Sequence, residues 1–151
     1  MKLICFLLLV TLTTPPITPR DSDDICEAIL RFDATHNKPT TGLYFVYIHD
    51  ESARHYTDPA DGFLKRFSDG KLRVKKGSES GHGPTSAVID PKTGERGTLA
   101  EFGKISVVSF DDVEVGCSMM TSGDSGGSWH FKLKRTDAGW EVASADQVSV
   151  Y

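Results

Sequence analysis

Cysteine is scarce: the 151-residue chain has three, one of them, Cys5, in an apolar N-terminal run. The dense disulfide framework of small secreted scaffolds is therefore excluded. Long apolar stretches are missing too. The run Leu3 to Val10 falls well short of the about 20 residues that a membrane-spanning helix requires. Charge of one sign is also in short supply, and a mildly acidic net charge of −4 argues against nucleic acid as a partner. No internal repeat or low-complexity tract occurs, and 14 Gly with 7 Pro is too little for a collagen-like or disordered polymer. There is no His-Glu-x-x-His helix, calcium loop or Gly-Lys-Ser/Thr phosphate loop, so neither a metal nor a cofactor is expected. What remains is one globular domain, long enough to bury roughly two-thirds of its unfolded surface.

The N-terminus is built for delivery. Lys2 precedes the apolar run Leu3 to Val10, and Thr11-Leu12-Thr13-Thr14-Pro15-Pro16 then breaks any helix, the order of a secretory signal. Residues 1–20 are read as a signal peptide, cut between Thr13 and Asp23, and residues 24–151 as a single domain that is secreted or periplasmic. In an oxidising compartment Cys26 and Cys117 become a disulfide candidate, and closing a loop of about ninety residues would stabilise the fold by a few kcal/mol. The alternative is two separately buried thiols, which pack as small apolar side chains.

Ile25, Ala28, Ile29 and Phe32 recur at helical spacing and predict a helix from about Asp24 to Thr35, ended by Asn37, Lys38 and Pro39. Leu43 to Ile48 is aromatic and β-branched, which predicts a strand covered on both faces. Asp58 as cap and Pro59 at the first helical position predict a second, short helix carrying Phe63, Leu64 and Phe67 and stopping near Gly70. Ala87-Val88-Ile89 and Thr98-Leu99 flank Asp90-Pro91-Lys92-Thr93-Gly94, a turn sequence that suggests a hairpin. Strands follow over Lys104–Phe110, Val113–Thr121, Ser128–Arg135 and Trp140–Val150, with Trp129, Phe131 and Leu133 alternating against His130, Lys132 and Lys134. The fold class is α+β: an N-terminal helix packed on a curved antiparallel sheet that ends in a β-meander.

Three constellations carry chemistry, each with a plainer structural reading. Gly123-Asp124-Ser125-Gly126-Gly127 resembles the nucleophile loop of chymotrypsin-like serine proteases, which would make Ser125 the nucleophile and the N–H groups of Gly123 and Ser125 the oxyanion hole. A serine needs a base and an orienting carboxylate, and none of His36, His49, His55 and His82 has the family's sequence context. Gly, Asp and Ser are also what a tight strand connection prefers, so the loop is read as a turn. His49-Asp50-Glu51 with His55 and Asp58 offers ligand atoms but matches no metal spacing, and reads as solvated loop. Lys65, Arg66, Lys71, Arg73, Lys75 and Lys76 form a basic cluster that would attract an anionic partner or serve as a solvated face.

The segments Asp58 to Phe67 (DPADGFLKRF), Val74 to Glu79 (VKKGSE) and Asp90 to Gly97 (DPKTGERG) resemble a family of uncharacterised exported bacterial domains. The resemblance implies no catalytic residues, and it implies that the Ser125 loop is incidental. The helix-then-meander order is similar to cystatin-like cones, which host both ligand binding and catalysis. The expected function is non-catalytic binding of a small ligand or protein partner. Its pocket would lie between the Asp24–Thr35 helix and the concave sheet, with Phe32, Phe45, Trp129, Phe131 and Trp140 as candidate lining residues. The alternatives are a serine hydrolase using Ser125 and a structural or assembly domain of the cell envelope.

Overall fold

The computed structural model describes residues 17–37 and 41–151. The apolar N-terminal run with Cys5, on which the export reading rests, lies outside those residues, as do Lys38 and Pro39. The first helix, α1, spans Pro19–His36 and starts more than a turn before the expected Asp24. A capping box explains the earlier start: the Thr18 hydroxyl accepts from the Asp21 N–H at 3.1 Å, and the Asp21 carboxylate accepts from the Thr18 N–H at 3.2 Å. Pro19 occupies the first turn, where a missing N–H costs nothing. The helix buries the stripe Ile25, Cys26, Ile29, Leu30 and Asp33.

The first strand, β1 (Leu43–Asp50), lies inside the sheet and is covered on both faces, as its continuous apolar run predicts. Tyr44, Val46 and Ile48 join the main core beneath α1. Leu43, Phe45 and Tyr47 point to the other face, into a smaller cluster with Val88, Leu99 and Met120. The strands β2 (His55–Thr57) and β3 (Arg73–Lys76) share one edge of β1, the first antiparallel and the second parallel. On the other edge follow β6 (Thr98–Val107), β7 (Asp112–Ser122), β8 (Ser125–Thr136) and β9 (Gly139–Val150). Between them, β4 (Gly81–His82) and β5 (Val88–Ile89) form a small separate ladder.

The architecture is α+β with a mostly antiparallel sheet, and the meander β6 to β9 is present. Four expectations are corrected. First, β1 runs parallel to both β3 and β6; parallel partners are joined by long crossovers, so no turn sequence announces them. Second, the Asp90 turn forms, with the Asp90 N–H bonded to Glu95 O at 2.8 Å, but Thr98 and Leu99 leave it to pair with β1, and a bulge after Phe102 joins them to Ile105 in one strand. Third, the second helix, α2, spans Asp61–Lys65 with Ala60 as its cap. Asp58 is engaged elsewhere: its carboxylate accepts from the N–H of Ser78 at 2.9 Å and from its hydroxyl, pinning a short 3₁₀ turn at Gly77–Glu79. Fourth, β8 starts at Ser125, so the break after β7 is only Gly123-Asp124.

Candidate functional site

The space between α1 and the sheet is filled by Ile25, Ile29, Leu30, Phe131 and Leu133, all essentially inaccessible to solvent. The concavity expected there is core. The five candidate aromatics do not converge. Phe32 stacks on His36 at 3.8 Å and meets Phe131 edge-on at 6.2 Å. Phe45 lies on the opposite face of β1, pressed against Gly97, where an added Cβ would come within 2.8 Å of its ring. Trp129 packs against the edge of the main core. Trp140 stands at the start of α1, donating its indole N–H to Asp21 at 3.3 Å and lying 4.6 Å beneath the Arg135 guanidinium.

Cys26 and Cys117 are both buried and unbonded. They belong to one core, and burial pushes both thiols above the ordinary cysteine range, so neither is poised as a nucleophile. The basic cluster is largely consumed by ion pairs. Arg66 meets Asp23, Asp24 and Glu27, Arg73 meets Glu95, Lys75 meets the buried Asp90, and Lys76 meets Asp61. The Arg66 pairs tie the end of α2 to α1, and the others tie α2 and the Asp90 turn to β3. The His49 constellation is spent as well: Asp50 accepts from Ser52 and Ala53, Glu51 from Lys104 and Asp58 from Ser78, and His49 rests edge-on against Tyr56. Among the described residues no group of three or more His, Cys, Asp or Glu is placed to hold a metal.

A concave site does form where the β7–β8 turn, the segment before β5 and the start of β6 approach the end of α1. This cleft encloses about 440 Å³, within the roughly 300–1,000 Å³ typical of small-molecule sites. Hydroxyl side chains dominate it: Thr41, Thr85, Thr98, Thr121, Ser122 and Ser125. Asn37 and Arg96 complete the polar lining, and no histidine or carboxylate is among the described lining residues. The walls are stitched by backbone. Gly123 N–H donates to Ser86 O at 3.0 Å, and Ala87 bridges Ser122. Ser86 itself adopts φ 55°, a left-handed conformation uncommon for a residue with a Cβ.

A buried relay sets one rim of the cleft. The Tyr44 hydroxyl donates to Asp33 at 2.6 Å, and the other Asp33 oxygen accepts from the Asn37 side-chain N–H. Since a carboxylate accepts only, the Asn37 amide must turn its nitrogen toward Asp33. Burial, and then the bond to Asp33, raises the Tyr44 pKa above the usual phenol range, so the hydroxyl stays protonated and keeps donating.

Ser125 lies in this cleft without the machinery of a nucleophile. The Thr121 hydroxyl approaches its carbonyl at 3.3 Å and its hydroxyl at 3.4 Å. The Gly123 N–H that the protease analogy assigns to an oxyanion hole is consumed by Ser86, and Asp124 accepts from Ser122 at 2.7 Å. Gly126 and Gly127 answer a different demand. A Cβ on Gly126 would meet Met119 O at 2.6 Å, and one on Gly127 would meet Ser149 O at 2.6 Å, so the two glycines let neighbouring strands close. Sequence reasoning missed Arg96, Thr98 and Asn37 as a group because Asn37 ends α1 while Arg96 and Thr98 stand at the start of β6, and each is unremarkable alone. Compared with family models, curated proteins and solved structures, the chain matches none.

Proposed function

We propose that the protein is a non-catalytic binding domain whose ligand site is the hydroxyl-lined cleft at Ser125. The observation that carries this reading is the composition of the described lining: six hydroxyls, one amide and one guanidinium, with no general base among them beside Ser125. Such groups orient a polar ligand through hydrogen bonds and provide no means of activating a nucleophile. The export signal read in the apolar run Leu3 to Val10 would put this activity in the periplasm or outside the cell, with Thr18 and Pro19 kept as the start of α1. The cystatin-like cone remains part of the same proposal, supported by the bulges after Phe102, Met120 and Ser128, features that bend strands.

The test is a small-molecule screen by amide chemical-shift mapping on the labelled protein, paired with fluorophosphonate labelling. A hit is expected to move the Arg96, Thr98 and Ser125 amides, and Ser125 is expected to stay unlabelled. Covalent labelling that disappears in Ser125→Ala would replace the binder by the hydrolase. A second reading, an assembly domain, draws support from Val148 and Val150, which are 68% and 74% exposed on the outermost strand β9. Light scattering that shows a concentration-dependent dimer, abolished by Val148→Lys, would favour it.

A further inference from the structure

We infer that the cleft is selective for a small hydroxylated monocarboxylate, of which a hexuronic acid is the simplest example; this rests on the binding reading above. The charge in the cleft is the first argument. Arg31, Arg66, Arg73 and Arg135 each meet a carboxylate; Arg20, Arg54 and Arg96 meet none among the described residues, and of these Arg96 alone lines this cleft, whose described lining has no acidic side chain. A guanidinium is a planar fork matched to a carboxylate by two parallel hydrogen bonds. One guanidinium neutralises a single negative charge, and a phosphate monoester at neutral pH brings about −1.5 to −2, leaving excess charge that nothing else among the described lining residues balances.

The second argument is the arrangement of the hydroxyls. Thr98, Thr121 and Ser125 come from β6, β7 and β8 respectively, so the floor presents hydroxyls from three strands. Each is both donor and acceptor, the pattern a polyol satisfies and an aliphatic acid does not. Thr98 is only 6% exposed, so its side chain is fixed by packing. Asn37, held by Asp33, adds an amide to the lining. Gly97 and Ala87 are the small residues of the lining, and with Phe45 beneath Gly97 they give the C–H face of a sugar ring an apolar surface.

The experiment is calorimetric and amide-shift titration of the full chain with glucuronate, galacturonate, glucose, galactose, cyclohexanecarboxylate, inorganic phosphate and sulfate at equal ionic strength. The expected result is saturable binding of a uronate at the cleft, at least tenfold tighter than the matching neutral sugar and than cyclohexanecarboxylate. Arg96→Gln should weaken it about tenfold and Arg96→Lys by less, because lysine keeps the charge and loses the fork. Arg96 is exposed, so both variants are expected to fold, and an unchanged amide spectrum outside the cleft checks this. Equal affinity for neutral sugar and uronate, insensitive to Arg96, would overturn the carboxylate selectivity and leave the binding reading standing. Phosphate or sulfate binding as tightly as the uronate would reduce the cleft to a simple anion site. Shifts with none of the probes would remove the monocarboxylate, and a cleft equally silent in the wider small-molecule screen would remove the binding reading itself.

Discussion

Two substitutions inside one motif separate the meanings that Gly123 to Gly127 can have. Gly127→Ala adds a methyl group 2.6 Å from Ser149 O and 2.9 Å from the Trp129 ring. Ser149 O belongs to a strand held in register by the Ser128 and Gly127 pairings, and Trp129 is packed against the core, so neither neighbour yields cheaply. Overpacking of this kind costs about 2–3 kcal/mol, offset by about 0.4–1 kcal/mol because alanine restricts the unfolded chain. The net expectation is a loss of about 2 kcal/mol, or roughly 4–8 °C in Tm for a domain of this size. Ser125→Ala removes an exposed hydroxyl and should stay within about 0.5 kcal/mol of the parent. Urea unfolding followed by tryptophan fluorescence reports both. A Gly127→Ala protein as stable as the parent, or a Ser125→Ala protein as damaged as Gly127→Ala, would refute the strand-crowding account of the glycines.

Tyr44→Phe leaves Asp33 buried at 4% exposure without its phenolic donor, and should cost about 1–3 kcal/mol in urea unfolding while broadening the Asn37 amide resonances. Cys26 and Cys117 should resist a thiol reagent in the native protein and both react after denaturation without reductant, with labelled-peptide mass spectrometry as the check; a Cys26–Cys117 disulfide peptide would contradict the free thiols. The ion pair and hydrogen bond with Lys75, aided by the Lys92 N–H, hold Asp90 below the ordinary carboxylate range. Its contribution to stability is therefore present above its unfolded pKa of about 4 and fades as pH falls through the lowered folded value. Urea midpoints measured from neutral pH down to about pH 2.5 should fall less steeply in Asp90→Asn than in the parent.

What could be read from the chain was local or periodic. The stripe on α1, the two-faced run of β1 and the alternation of Trp129, Phe131 and Leu133 are repeats of helix or strand geometry, and they predict the layer that is observed. The start of α1 was misplaced because Thr18 and Asp21 form a capping box within a segment that lacks apolar periodicity. Asp58 looked like a helix cap and instead holds Ser78, a choice made by tertiary packing. Gly126 and Gly127 looked like turn residues, and their reason lies in backbone from β7 and β9. The cleft was the least legible feature: Asn37 ends α1, Arg96 and Thr98 stand at the start of β6 and Ser125 opens β8, and only the pairing of β6 with β1 and, through β7, with β8 brings them to one place.

That parallel docking also governs which insertions the chain can tolerate. Tyr44 pairs with Thr98, and everything between them is a single crossover that contains β2, α2, β3 and the β4–β5 ladder. Closing such a loop costs entropy only as the logarithm of its length, so doubling the crossover would cost about 0.6 kcal/mol. The β7–β8 connection has no such latitude, since it is the two residues Gly123-Asp124 and one of them is bonded to Ser86. Elaboration by insertion is therefore directed to one half of the chain, at exposed sites such as Glu51 to Arg54, while the strands that floor the cleft keep fixed lengths.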